Sequence, residues 1–440
     1  MINIASMPDE LEARVLRRIS WRILPFVMLL YFVSFLDRVN VGFAAFTMNQ
    51  AISLSPAAYG LGGGLFFIGY FLFEVPSNLI LYRIGVRVWI ARVMVTWGIV
   101  SACSAFVTGA HSFYALRFLL GVAEAGFFPG IILYLSLWFP ARYRAMAAAA
   151  FMAAAPISTA IGSPVSGALM ELPRIAGLSN WQWLYLLEAA PAVVLGFVVL
   201  KILTDKPEEA TWLEPEERDW LVSRLKSEQT TAASTHGGGL TSVWRTLFDL
   251  RVLALSFIYL GTSAGLYTLG LWAPLIIRQF KFSPLETGWL NAFPNVVAVL
   301  AMMLWASHSD RTLERTWHVV LPCAAACLGF IWAGSSHTAI GVIGALLVVN
   351  VGISAAKAPL WAVASTFMSG AGAAAGIAMI NSIGNLGGFI GPYMIGWIKG
   401  KTGSYTGGLY GVGATLALSA VVTLLLSRKT SESGSAERPS

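Results

Sequence analysis

The chain has 440 residues, of which 57% are hydrophobic and only 12% charged, with a mean hydropathy of +0.70; soluble globular proteins carry about 25% charged residues. That balance excludes an ordinary soluble domain and predicts an integral membrane protein. The formal net charge of +7 does not point to nucleic acid, because the basic residues gather at the ends of apolar runs, the pattern that orients membrane helices.

Apolar runs long enough to cross a bilayer, roughly 20 residues each, recur twelve times. In the first half they fall at about 21–45, 58–82, 88–108, 112–138, 146–171 and 183–203. The second half repeats the count at about 250–278, 286–306, 318–335, 338–365, 371–398 and 406–427. The ten-residue alternation of a membrane barrel is absent, so the expected fold is all-α, with twelve transmembrane helices in two pseudo-symmetric six-helix bundles. The expected divisions are a first bundle over 1–203, a cytoplasmic linker over 204–247, a second bundle over 248–427 and a disordered cytoplasmic tail over 428–440.

Arg14, Arg17, Arg18 and Arg22 precede the first run, Arg83, Arg87 and Arg92 follow the second, Arg142 and Arg144 the fourth, and Arg311 and Arg315 the eighth. By the positive-inside rule these segments and both termini face the cytoplasm. Arg278, Lys281, Lys399 and Lys401 are exceptions at the opposite ends. The first twenty residues are polar and the first apolar run is of spanning length, so that run is expected to be kept as a helix rather than cleaved as a signal. Within the linker, EPEERDWLVSRLKSE places Pro215 at a helix start and Trp220, Leu221 and Leu225 close together, which predicts a short amphipathic helix at the membrane surface. TTAASTHGGG then reads as flexible linker. A weak repeat, IGSPVSG at 161–167 and IGPYMIG at 390–396, makes spans 5 and 11 equivalent, and their glycines suit close helix packing.

Cys103, Cys323 and Cys327 lack His or carboxylate neighbours, so no metal site is expected, and no nucleophile motif or nucleotide loop suggests an enzyme or a cofactor.

The informative residues are charges inside the spans: Asp37, Arg38, Glu74, Arg117 and Glu124 in the first half, Lys357 in the second. Each costs about 2.5–3.5 kcal/mol near a helix centre on insertion scales, so they must find partners or water. Neighbours on a helix point about 100° apart, so Asp37 and Arg38 should reach different partners. Arg117 and Glu124, seven apart, lie on one face about 10 Å apart along the axis, which suits two stations in a cavity. Carboxylates beside arginine can gain or lose a proton, and a guanidinium binds a carboxylate with two contacts. Asp37 and Glu124 are therefore the proton-site candidates and Arg38 and Arg117 the anion-site candidates. The alternative is that these charges only lock spans 1, 2 and 4 together.

FLDRVNVGFA, GYFLFEVPSNL, RFLLGVAEAGFFPG and SIGNLGGFIGPY together resemble, in order along nearly the whole chain, the anion:cation symporter family of the major facilitator superfamily. The resemblance implies bacterial carriers of tartrate, phthalate, hydroxyphenylacetate or sugar acids. It implies proton coupling at Asp37 and Glu124, a substrate carboxylate on Arg38 and Tyr70, coupling of Arg117 to Glu124, and substrate contacts at Asn385 with Asn381 and Ser382 as neighbours. The superfamily loop signature survives as SDRTLER after span 8, whereas YRIGVR after span 2 lacks the acid; Arg83, Arg87, Asp310 and Arg311 are the implied gating residues. Two departures matter. Span 5 is bland where sugar-acid members place a polar contact, and Lys357 is an added cation that can take a second carboxylate. With Phe35, Trp361 and Phe389 at similar depth, an aromatic or dicarboxylic acid is the expected cargo.

The expectation is a proton-coupled symporter importing a small organic acid by alternating access across a bacterial inner membrane. It needs no cofactor, binds protons, its acid and membrane lipid but no nucleic acid, and functions as a monomer. A drug or metabolite exchanger or efflux carrier on the same fold is the alternative; a transport-like receptor would need a larger signalling domain than the linker or tail supplies.

Overall fold

The computed structural model describes residues 10–235, 249–367 and 370–436, and nearly all of them are helical. The first half contains α1 (Glu10–Ala51), α2 (Pro56–Ile84), α3 (Val86–Cys103), α4 (Ala110–Glu124), α5 (Phe127–Trp138), α6 (Ala141–Leu169) and α7 (Asn180–Ile202). A connecting helix, α8 (Pro215–Thr235), follows. The second half contains α9 (Leu250–Arg278), α10 (Pro284–Thr312), α11 (Thr316–Ser335), α12 (Ala339–Phe367), α13 (Gly370–Asn385), α14 (Gly387–Thr402) and α15 (Thr406–Ala436). Eleven passes are long and apolar enough to cross a membrane, counting α4 with α5 as one. The twelfth, expected at about 371–398, is divided between α13 and α14.

Two expected single helices are therefore broken. The fourth breaks at Ala125–Gly126, where Gly126 is left-handed with φ 87° and the Ser77 hydroxyl donates to the Ala125 carbonyl at 2.6 Å. A side chain on Gly126 would collide with Ser77, so glycine alone suits both the conformation and the space. The eleventh breaks at Leu386, between Asn385 and Gly387. Starts are set locally: Ser55 caps α2 ahead of Pro56, and Ser283 and Glu286 form a reciprocal capping box around Pro284 at the start of α10.

The halves pack alike. Span 2 lies on span 4 in the first (α2 on α4) and span 8 on span 10 in the second (α10 on α12); α3 on α7 matches α11 on α15, and α1 on α6 matches α9 on α13 and α14. Between the halves, α2 meets α14 and α6 meets α10, the two contacts that a twofold relation would exchange. The face carrying the start of α1, α8 and the end of α15 is called here the terminal face, and the opposite one the far face.

On the far face the halves meet backbone to backbone. A Cβ on Gly60 would lie 2.6 Å from the Pro392 carbonyl, and Cβ atoms on Gly167 and Gly288 would each lie 2.5 Å from the carbonyls of Pro284 and Ser163. Tyr59 joins the same seam, donating to Val41 at 2.9 Å and approaching the Leu271 carbonyl at 3.2 Å. Small residues permit this closeness in a membrane protein, where dispersion rather than the hydrophobic effect holds helices together.

Helix α8 is longer than the short segment expected, and TTAAST from Thr230 to Thr235 continues it; the following glycines lie outside the described residues. Its apolar face covers the protein: Leu221 and Leu225 are buried, and buried Glu217 accepts from Arg18 at 2.6 Å beside Arg14 at 3.5 Å. Glu228 holds Arg144 at 3.3 Å, so the linker straps α1 to α6. Helix α15 likewise continues past the expected end at Ser427 to Ala436, because SRKTSESGSA contains no proline to stop it.

Candidate functional site

Between the bundles, in the half nearer the terminal face, lies a cavity of about 330 Å³, within the usual range for small-ligand sites. Arg38 and Tyr70 line it from the first bundle, and Tyr267, Lys357, Asn381 and Asn385 from the second. A smaller recess of about 70 Å³ extends toward the far face, reached by Arg38, Arg117, Asn291, Asn295 and Asn350. Among the described lining residues of the main cavity, Arg38 and Lys357 are the charged ones, and no carboxylate lines it.

Asp37 and Arg38 diverge as helix geometry requires. Arg38 reaches across to Glu124, with Nη2 at 2.5 Å and Nε at 3.1 Å from the same oxygen, Oε1. Ser34 donates to that oxygen at 2.6 Å. The break after α4 leaves Glu124 at the end of a half-helix, 1% exposed, facing Arg38 at 15%. Removing one partner of such a buried pair costs about 3–5 kcal/mol, because the other charge is stranded. Arg38 also approaches the Tyr267 hydroxyl at 3.4 Å.

Asp37 points away from the cavity into the first bundle. It accepts from the Trp97 indole, from Ser101 at 2.9 Å and from Asn40 at 3.0 Å, and it is 2% exposed. It is not among the cavity-lining residues.

Arg117 forms no direct ion pair with Glu124, whose carboxylate is taken by Arg38, although it lies close enough to feel that charge. Its guanidinium lies 5.2 Å from the Phe66 ring centre, and Arg38 lies 5.4 Å from the same ring. One phenyl ring thus receives two guanidinium groups, each gaining cation–π attraction in a desolvated setting. Arg117 is buried, with its Nε unpartnered.

Glu74 bridges the bundles instead of joining the first-half charges: Asn381 donates to it at 3.2 Å and Ser382 lies at 3.5 Å. Asn381 thus both lines the cavity and holds Glu74. Of the three expected aromatics, Phe35 and Trp361 line the cavity, while Phe389 stacks on Tyr393 at 5.6 Å and fills space beside Gly64. The wall expected to be bland from span 5 is largely so, as Ala149, Met152, Ala153 and Pro156, but Thr159 of the same span adds a hydroxyl to it.

Arg83, Arg87, Asp310 and Arg311 lie at the terminal face, at the ends of their helices. The acid absent from YRIGVR comes from elsewhere in the chain: Asp205, after α7, accepts from the Arg87 amide at 2.8 Å. Asp310 pairs with Arg315 at 2.7 Å, not with Arg311. Nearby, Glu314 accepts from Trp317 at 2.8 Å and meets His318 at 2.8 Å. Burial pushes its carboxyl up, but the Trp317 amide and His318 outweigh that and hold it below the usual range.

Sequence reading missed four groups around these sites. Tyr267 carries no charge to betray it. Asn291 and Asn295 stand one turn apart in NAFPN, a polar pair inside an apolar span, which was the available signal; Asn291 donates to Ser163 across the bundles at 2.9 Å. Glu188, a lone carboxylate in span 6, is 2% exposed and was equally visible as a charge in a membrane helix. No cluster of metal-binding side chains occurs among the described residues.

The Major Facilitator Superfamily model matches residues 27–392. A protein of Agrobacterium vitis named "Putative tartrate transporter" is 62% identical over 96% of this chain and 93% of its own length. An Acinetobacter baumannii protein named "Quinolone resistance transporter" is 38% identical over 96% of each chain. Among solved structures, an inward-facing, occupied bacterial homolog of the human lysosomal transporter Spinster superposes with a TM-score of 0.75 at 16% identity, covering 92% of this chain and 96% of that one. The two-bundle helical architecture and these matches agree, and the chain belongs to the major facilitator superfamily, as a multi-pass membrane transporter.

Proposed function

We propose that this transporter is a proton-coupled symporter that takes up a small dicarboxylic acid across the bacterial inner membrane, with the terminal face cytoplasmic. The carrying observation is the charge of the cavity: one guanidinium from the first bundle, one ammonium from the second, and no lining carboxylate among the described residues. Such a site favours an anion, and two cations on separate bundles favour an anion with two ends. The tartrate assignment of the relative from Agrobacterium vitis supports the same class.

Coupling follows from the Arg38–Glu124 contact. An incoming carboxylate and Glu124 compete for one guanidinium fork. Protonating Glu124 removes its charge and frees the fork, so proton and anion each raise the other's affinity, as linkage requires. Asp37 supplies the second proton site of the proposal, one residue away on the same helix but outside the cavity. With the bundles in contact at the far face and tied by Glu74 to Asn381 toward the terminal face, rocking about the cavity exposes the site alternately.

The test is thermal stabilisation of the purified protein by tartrate, phthalate, hydroxyphenylacetate, sugar acids, neutral sugars and cationic drugs at acidic and neutral pH. A ligand at 100 times its Kd adds about 2.7 kcal/mol if it binds only the folded state. A dicarboxylate is expected to stabilise more at acidic pH. Lys357→Gln is expected to weaken the diacid about tenfold or more while leaving a monoacid within about twofold, a difference on the order of 1.4 kcal/mol. Stabilisation by drugs with no response to any acid would instead establish the second reading, an efflux carrier, which the quinolone-resistance relative supports.

A further inference from the structure

The break between α4 and α5 follows directly on Glu124, and a side chain from another helix holds it. In an unbroken helix the Ala125 carbonyl would accept from residue 129, but that residue is Pro129, which has no N–H and whose ring would press on that carbonyl. The carbonyl is left without a helical partner at a fully buried position. Ser77, on α2, supplies the missing donor at 2.6 Å. The Ser77 hydroxyl in turn accepts from the Trp89 indole, on α3, at 2.9 Å, and the Arg92 guanidinium lies over the Trp89 ring, 3.7 Å from its centre.

This chain has a fixed direction. An indole nitrogen only donates and a hydroxyl carries one hydrogen, so with Trp89 on one lone pair the Ser77 hydrogen is turned toward Ala125. The body of α4 is held by other means. It meets α2 backbone to backbone where Gly69 faces Phe118 and Gly121 faces Phe66, the close approach that small residues allow. Those contacts stop short of the last turn. Among the described hydrogen bonds, the one from Ser77 alone reaches the backbone of residues 125–126 from outside α4 and α5.

Glu124 is the last residue of α4, and Ala125 leaves the helix with φ −56° and ψ 132°. The direction in which the carboxyl points thus depends on the peptide that Ser77 grips. We infer that Ser77, aligned by Trp89, is a positioning residue for Glu124: it keeps the break in the form that aims this carboxyl at Arg38 and Ser34. Neither Ser77 nor Trp89 lines the cavity or its recess, so both act through Glu124 and touch no cargo.

For transport, the inference rests on the proton-coupled reading above; for geometry, it does not. The first measurement is therefore the rate at which dicyclohexylcarbodiimide, an apolar reagent that attacks protonated carboxyls, modifies Glu124 in the purified, substrate-free protein, located by mass spectrometry of its peptides. A carboxyl no longer held as an ion by a guanidinium is open to this reagent, and Arg38→Ala sets the upper limit. Ser77→Ala is expected to label at Glu124 about fivefold faster than the wild type, the factor that a lost buried hydrogen bond carries. Trp89→Phe, which keeps the ring and drops only the aligning donor, should fall between the two. Ser256→Ala is the control, because that buried hydroxyl donates within α9, to the Val252 carbonyl at 2.7 Å. Equal rates in Ser77→Ala and the wild type overturn the inference, and so does an equal rise in Ser256→Ala. If Ser77→Ala does not fold, Trp89→Phe carries the test, and an unchanged rate there overturns the inference.

The second measurement is the ratio of tartrate affinities at acidic and neutral pH. A carboxyl that is no longer aimed at Arg38 stops competing with the anion, so the ratio is expected to shrink toward one in Ser77→Ala and to stay at the wild-type value in Ser256→Ala. A merely destabilised protein would keep its ratio. An unchanged ratio in Ser77→Ala, set against a wild type whose affinity does respond to pH, overturns the inference. A wild type that binds tartrate without any response to pH overturns the proposed coupling instead, and the labelling rates then decide the inference on their own.

Discussion

Arg38 is held by Glu124 through two nitrogens on one oxygen, and that geometry separates charge from shape. Arg38→Lys keeps the charge but offers one nitrogen where two now bind, and lysine cannot form the fork. It is expected to lower affinity for the acid about tenfold or more, to weaken the dependence of binding on pH, and to leave folding intact; titration of tartrate binding at two pH values checks this. Equal affinity and an unchanged pH dependence would remove Arg38 from the coupling. The divergence of Asp37 from Arg38 was legible in the sequence, because the 100° step of a helix requires it. Their partners were not legible. Nothing local says that Glu124 meets Arg38 rather than Arg117, since that choice depends on how α1 and α4 are rotated against each other.

At the scale of the element, the break after Glu124 fixes where that carboxyl ends up. Gly126→Ala forces a side chain into a left-handed residue and against Ser77, so it is expected to cost roughly 1–3 kcal/mol from backbone strain alone, read as a lower melting temperature. Gly403 is also left-handed, with φ 74°, but a Cβ there meets nothing within 4 Å. Gly403→Ala should therefore lower the melting temperature less, and equal losses would show that contact with Ser77 contributes nothing. Sequence reading placed the apolar passes well because length and hydropathy alone define them. It missed both breaks, since GVAEAGFF and SIGNLGGF lie inside apolar runs of spanning length and contain no proline at the break, and a glycine in a membrane helix is more often a packing residue. The same reading made α8 a surface helix, because an apolar stripe looks identical whether lipid or protein covers it.

For the whole molecule, the doubled pairing of α2 with α14 and α6 with α10 makes the far-face seam the place where closure is decided. Gly60→Val puts a branched side chain against the Pro392 carbonyl and is expected to hold that face apart. Pulsed electron–electron distances between spin labels at Gln50 and Ser404, both exposed, should lengthen relative to the unsubstituted protein, and net transport should fall at least about tenfold, the loss expected when closure costs 1.4 kcal/mol more. Unchanged distances would show that the seam tolerates the extra bulk. The two-bundle arrangement was readable from the six-and-six division of spans and from the IGSPVSG and IGPYMIG repeat, since a duplicated fold repeats its packing glycines as well as its helices. Which glycines face the other bundle was not readable, because contact between distant spans leaves no local periodicity.

The two ends of the cleft are fastened by different chemistry. The far-face seam rests on glycine–carbonyl contacts and a tyrosine hydroxyl, with Glu171 accepting from the Leu285 amide as its one carboxylate contact among the described bonds between bundles there. Toward the terminal face, the fastening includes a carboxylate, Glu74, held by two neutral side chains. Closure on the far side is thus largely indifferent to ionic strength, whereas the other closure depends on how one acid is ionised. The carrier's resting preference can accordingly be tuned from one side of the membrane, which changes how fast it turns over while the gradients alone decide which way it runs.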